Sequence, residues 1–154
     1  MTLTIPKIRL APRERQVVEG MADGHALTKV AADLKIKPGT ASGYLKLAKS
    51  KLHGMSEIEA TIAVGYATDA ITHPDLLDPD KLTLPTEQRE LVPLIGQGKS
   101  SAQMAAELKR GFGFIGSDEQ DLLANLGAKN RAHAIKRAWQ YQILTAQQVI
   151  AWLR

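Results

Sequence analysis

Lys35-Ile36-Lys37-Pro38-Gly39-Thr40-Ala41-Ser42-Gly43-Tyr44-Leu45-Lys46-Leu47-Ala48-Lys49-Ser50-Lys51-Leu52 is the stretch whose reading decides the fold. Pro38 suits the first turn of a helix, where its missing N–H costs nothing. Ala41, Leu45, Ala48 and Leu52 then recur at spacings of 4, 3 and 4, the inward stripe of one helix running to about Leu52. Ser42, Gly43, Lys46 and Lys49 share its outward face. Residues 35–52 hold five lysines and no acid. Lys35-Ile36-Lys37 is the turn that precedes this helix.

Two shorter helices come before it. Pro12 opens the first, which runs over Arg13 to Asp23 with Val17, Val18 and Met21 on one face and Gly24 as its stop. Ala26 to Leu34 forms the second, with Val30, Ala31 and Leu34 inward. Ser56 and Glu59 have capping-box spacing for a fourth helix reaching about Thr72. No alternating strand pattern occurs, so the chain reads as all-α.

A shift of 74 positions lays the sequence on itself without a gap. Leu10 meets Leu84, Val17-Val18 meets Leu91-Val92, Gly24 meets Gly98, Val30-Ala31 meets Met104-Ala105, Leu34 meets Leu108, Leu52 meets Leu126, and Ala60 meets Ala134. These are apolar and turn positions, which a shared core would dictate. The expectation is two tandem four-helix units, 1–73 and 84–154, joined by a Pro- and Asp-rich linker over 74–83, with a short C-terminal helix from Thr145 to Leu153.

Three helices followed by a packing fourth resemble the LuxR/FixJ/NarL-type helix-turn-helix domain. Leu10-Ala11-Pro12-Arg13-Glu14 stands where that family begins with leucine, a small residue and Arg-Glu. Gly24, Val30-Ala31, Leu34 with Ile36, Thr40 and Lys51-Leu52 follow at family spacing. Ser42 stands where the family carries a base-reading lysine. The resemblance implies a DNA-reading third helix. Thr40 would touch phosphate, Ser42, Gly43 and Lys46 would reach bases, and Lys37 and Lys49 complete the contact set. It also implies pairing of two chains through the fourth helix, or through the C-terminal helix, unless the two units of one chain pack on each other instead.

The second unit keeps the scaffold but not the lysines. Its third-helix positions read Gly113-Phe114-Ile115-Gly116-Ser117-Asp118-Glu119-Gln120-Asp121. Acids repel phosphate, and Gly111, Gly113 and Gly116 disfavour a long helix, so a shortened helix capped by Ser117 and unable to read bases is expected. Pro93 should interrupt the first helix of this unit. Lys129, Arg131, Lys136 and Arg137 form a basic face on the fourth helix, suited to phosphate or to an acidic partner. Gly111 to Gly116 spells GxGxxG, but a dinucleotide site needs a strand before it and a helix after it.

The chain has 154 residues, 44% apolar and 23% charged, with a net charge of +4. That profile is globular, and mildly basic in a way that permits nucleic-acid binding. Without cysteine there is no disulfide and no thiolate chemistry. The four histidines lack metal-ligand spacing, and no catalytic motif is present. No cofactor, no metal and no enzyme activity are expected. No apolar run is long enough to cross a membrane, and the first residues do not read as a secretory signal, so a cytoplasmic, nucleoid-associated protein is expected. The leading function is a transcriptional regulator of bacterial or phage type that binds double-stranded DNA, with RNA polymerase or another regulator as a further partner. Two other readings remain open: a protein-interaction module that antagonises a related regulator, and an architectural or mobile-element DNA-binding protein.

Overall fold

The computed structural model describes residues 7–153, and these are helical and loop throughout, with no strand. The first four helices are α1 (Pro12–Ala22), α2 (Leu27–Leu34), α3 (Pro38–Lys51) and α4 (Ile58–Ala67). A loop carrying a 3₁₀ turn (Pro79–Lys81) leads to α5 (Thr86–Arg89), α6 (Leu91–Gly96), α7 (Ser101–Leu108), α8 (Phe112–Leu126), α9 (Arg131–Gln140) and α10 (Ala146–Trp152). The starts at 86, 101, 112 and 131 fall 73 or 74 positions after those at 12, 27, 38 and 58. The left-handed residues keep the same offset: Gly24 and Gly98 (φ 86° and 83°), and Lys35 and Lys109 (φ 58° and 55°). α5 and α6 divide at Glu90, three residues before Pro93, as the missing N–H of that proline dictates.

Two expectations need correction. α8 is not shortened: it runs for 15 residues from its N-cap Gly111 to Gly127, and Ser117 lies inside it. Fully buried Ile115, Leu122 and Leu126 hold the helix despite its glycines, so packing overrides propensity. α4 begins without a side-chain cap and stops at Ala67. The Thr68 hydroxyl bonds the Val64 carbonyl, and Asp69 turns left-handed at φ 58°. Ala70 and Ile71 continue the apolar pattern as a reversed segment tucked back on the helix, their N–H groups both on the Gly65 carbonyl.

The two halves share one core. Every residue of α4 from Ala60 to Tyr66 is buried, because the helix packs against α9, α10 and α6 as well as α1 and α3. The contact is reciprocal. α1 packs on α9 and α6 packs on α4, while α4 and α9 meet between them. A Cβ at Gly24 would lie 3.1 Å from the Cβ atoms of Lys129 and His133, and one at Gly98 would lie 2.9 Å from the Cβ of Glu57. Each glycine turn thus sits on the start of the other half's fourth helix, in a conformation that favours glycine. Such mutual contact is the mark of two-fold packing, here within one chain. It encloses α4, so that helix is not a surface for pairing two chains. Tyr66 and Trp139 stack across the seam with ring centroids 5.1 Å apart. The expected linker is a strap, its Leu77 N–H donating to the Gln140 carbonyl at 2.8 Å.

One polar pair repeats in altered form. Buried Glu14 accepts from the Ala11 N–H at 2.9 Å and from Lys51 Nζ at 2.8 Å. Burial pushes its carboxyl up, but the Lys51 bond and charge together with the Ala11 N–H outweigh this and hold it below the usual carboxylate range. At the corresponding positions buried Gln88 accepts from Asn125 Nδ2 at 2.7 Å. Ion pair and amide pair are therefore alternative fillings of one internal slot. Lys51→Asn alone should cost about 1–3 kcal/mol by weakening the support of a buried carboxylate. Adding Glu14→Gln should recover most of that loss in a urea-unfolding double-mutant cycle. The double variant should also lose the acid sensitivity that Glu14 confers. Because its folded pKa is depressed, its stabilisation is present at neutral pH and is lost as pH falls through that folded value.

Candidate nucleic-acid interface

α3 is held from one side only. Its buried Ala41 joins Val17, Val30 and Ala31, while Ala48 and Leu52 enter the main core. The turn before it is set by Lys35 in the left-handed region and by half-buried Ile36, whose N–H bonds the Ala31 carbonyl at 3.0 Å. The chain leaves Lys37 extended, and Pro38 starts the helix with no side chain capping it. Pro38 has no N–H, so the outward N–H groups of this first turn are those of Gly39 and Thr40. They sit at the positive end of a 14-residue helix, where an anion is favoured.

The structure brings most of the sequence-derived residues together. Lys37, Thr40, Ser42, Gly43 and Lys46 are all exposed on the free side of α3. Among the described residues neither Lys37 nor Lys46 has an acidic partner. A Cβ built at Gly39 or Gly43 meets nothing within 4 Å, so neither glycine is required by packing inside the protein. Lys49 differs. It is half-buried, and its Nζ donates to the Ser56 carbonyl at 3.0 Å, tying α3 to the loop before α4. Leu47, 52% exposed, lies on the same outward stripe, four residues after Gly43. The i, i+4 spacing from Gly43 is the signal in the sequence that places it there.

The basic residues of α9 are placed otherwise. Lys136 pairs with Asp23, the C-cap residue of α1, across the seam. Arg131 donates to the Lys99 carbonyl at 2.6 Å and faces Glu119 at 3.4 Å. Arg137 donates to the Leu126 carbonyl at 2.8 Å and lies over the Tyr141 ring. These three cations are engaged within the chain, and Lys129 alone of the four stays exposed. His133 sits among them. Burial first, then the charges of Arg137, Lys136 and Lys129, lower its pKa below the ordinary histidine value. Its Nδ1 accepts the Lys129 N–H at 3.0 Å, as a neutral ring must.

The acids of α8 are also placed differently from expectation. Asp118 is paired with Arg110, and Asp118 and Glu119 are both half-buried. Of the three acids only Asp121 is exposed. The GxGxxG glycines follow the helix α7 and no strand, so no dinucleotide cradle forms there. Among the described residues no group of three or more metal-ligating side chains converges, and no helix is long and apolar enough to cross a membrane.

Residues 9–64 match the family described as bacterial regulatory proteins, luxR family, and the match ends within α4. No curated protein and no solved structure matches the chain. The matched span contains α1, α2, α3 and the turn geometry just described. Over that span, a little over a third of the chain, the protein is similar to the luxR family of bacterial regulatory proteins.

Proposed function

We propose that the chain is a sequence-specific transcriptional regulator that lays α3 in the major groove of double-stranded DNA. The observation that carries this is the acid-free outward face of α3, with unpaired Lys37 and Lys46 flanking two glycines that nothing inside the protein requires. Lys37, Thr40 and the uncapped first turn contact phosphates. Ser42 and Lys46 reach base edges, lysine to guanine acceptors and serine to either partner. Gly43 lets the backbone approach, and Leu47 offers an apolar contact to a thymine methyl. Lys49 braces the helix and clamps the backbone only by releasing Ser56. Residues 84–153 serve as a second, degenerate copy that supplies the packing partner of α4, so one chain does what a homodimer would otherwise do.

Fluorescence anisotropy with duplex DNA across a salt series tests the reading. Wild type should bind with a steep salt dependence. Lys37→Ala should weaken binding to all sequences and reduce the slope of log K against log salt by about 1. Lys46→Ala should in addition relax preference at one base pair. Failure of the wild-type protein to bind any duplex at low salt would remove the proposal.

A further inference from the structure

The chain has two phenylalanines, and both stand in solvent at the start of α8, Phe112 at 64% exposure and Phe114 at 72%. Large apolar side chains are normally withdrawn from such positions, and an exposed pair marks a contact surface. Its location identifies the contact. By the offset of 74, Gly113 corresponds to Gly39, Phe114 to Thr40, Gly116 to Ser42, Ser117 to Gly43 and Gln120 to Lys46. These are the positions that α3 turns outward. Cβ atoms at Gly113 and Gly116 would meet nothing within 4 Å, as at Gly39 and Gly43. α8 also starts without a side-chain cap. Asp118 and Glu119, which would have opposed DNA, are turned towards Arg110 and Arg131 instead. Asp121 is the single exposed acid of the helix, and it counts against phosphate contact on its flank.

We infer that α8 is a second DNA-reading helix, neutral where α3 is cationic, and that one chain reads two unlike half-sites. This rests on the reading of α3 above. The reciprocal packing of α1 on α9 and α6 on α4 is the pattern that two-fold packing produces, and such packing would relate the two third helices by an approximate two-fold axis. A duplex has two-fold axes of its own, so a two-fold protein meets successive half-sites about one helical turn apart. The chemistry of α8 is that of A·T readout: an amide at Gln120 for adenine, and the Phe114 ring, folded over Gly111, for a thymine methyl. α3 then supplies the salt-dependent attraction and α8 adds discrimination.

Selection of wild-type binders from a random duplex pool, followed by anisotropy on the winning duplex, decides the matter. The expected winner is bipartite and asymmetric, with an A·T-rich half about one helical turn from the other, occupied by one chain. Phe114→Ser with Gln120→Ala should weaken binding to that duplex roughly ten- to a hundredfold. The salt slope should stay unchanged, since neither side chain releases counterions. Both positions are exposed, so melting of this variant should match wild type. A single contiguous half-site, or unchanged affinity in the double variant, overturns the inference while leaving α3 as reader, and the phenylalanine pair is then a protein-docking surface. Absence of any selected duplex defeats both readings together.

Discussion

Ile62→Asp is expected to unfold the chain from end to end, including the half that the substitution does not touch. Ile62 is fully buried in α4, a helix surrounded on all sides by α1, α3, α6, α9 and α10. A lone carboxylate there has no partner within the apolar cluster, and its burial costs several kcal/mol or more, comparable with the whole stability of a small domain. The readout is built in, because both tryptophans, Trp139 and Trp152, belong to the second half. If the core is shared, the milder Ile62→Val should lower stability by about 0.5–1.5 kcal/mol. Tryptophan fluorescence and far-UV circular dichroism should then report one common transition midpoint. Should the fluorescence transition stay at its wild-type midpoint while part of the helical signal melts early, the halves fold independently and the enclosure of α4 is not what stabilises them.

The signal for this enclosure was present in the sequence. Ile58 to Ala67 is apolar or small around nearly its whole circumference, Glu59 and Thr61 excepted, and a helix with no polar face is buried on every side. The capping-box spacing of Ser56 and Glu59 bears only on the start of the helix and is silent on its missing polar face. α1, α2 and α3 were legible to within a residue or two because their stops are local: Gly24, the Leu34–Pro38 turn and the stripe ending at Leu52. The end of α4 was not, since Ala70 and Ile71 keep the apolar rhythm after the chain has reversed at Asp69. α8 misled for the opposite reason. Its glycines and acids are unfavourable locally, but Ile115, Leu122 and Leu126 fasten it, and Arg110 from the turn after α7 and Arg131 of α9 face Asp118 and Glu119. The outward face of α3 was readable from spacing alone. The bond from Lys49 to the Ser56 carbonyl was not, because nothing in the sequence sets the course of residues 53–57.

Gly43 should separate folding from function by moving them in opposite directions. It lies inside α3 in ordinary helical conformation, and a side chain there would enter open space. Glycine costs about 0.8–1 kcal/mol relative to alanine in a helix interior, so Gly43→Ala should raise stability by about that amount. Gly43→Leu should gain nearly as much, since leucine is also a strong helix former. If α3 lies in the major groove with its backbone close to the bases, the leucine side chain occupies the space the bases need. Contacts of Ser42 and Lys46 are then lost together. At 1–3 kcal/mol for each good base contact, affinity for the selected duplex should fall on the order of a hundredfold. Thermal melting and anisotropy on the same preparations give both signs at once. A Gly43→Leu protein that melts higher and binds as tightly as wild type would mean that this face of α3 stays out of the groove. A more stable protein that no longer binds would assign the retained glycine to DNA, because no atom within the protein explains it.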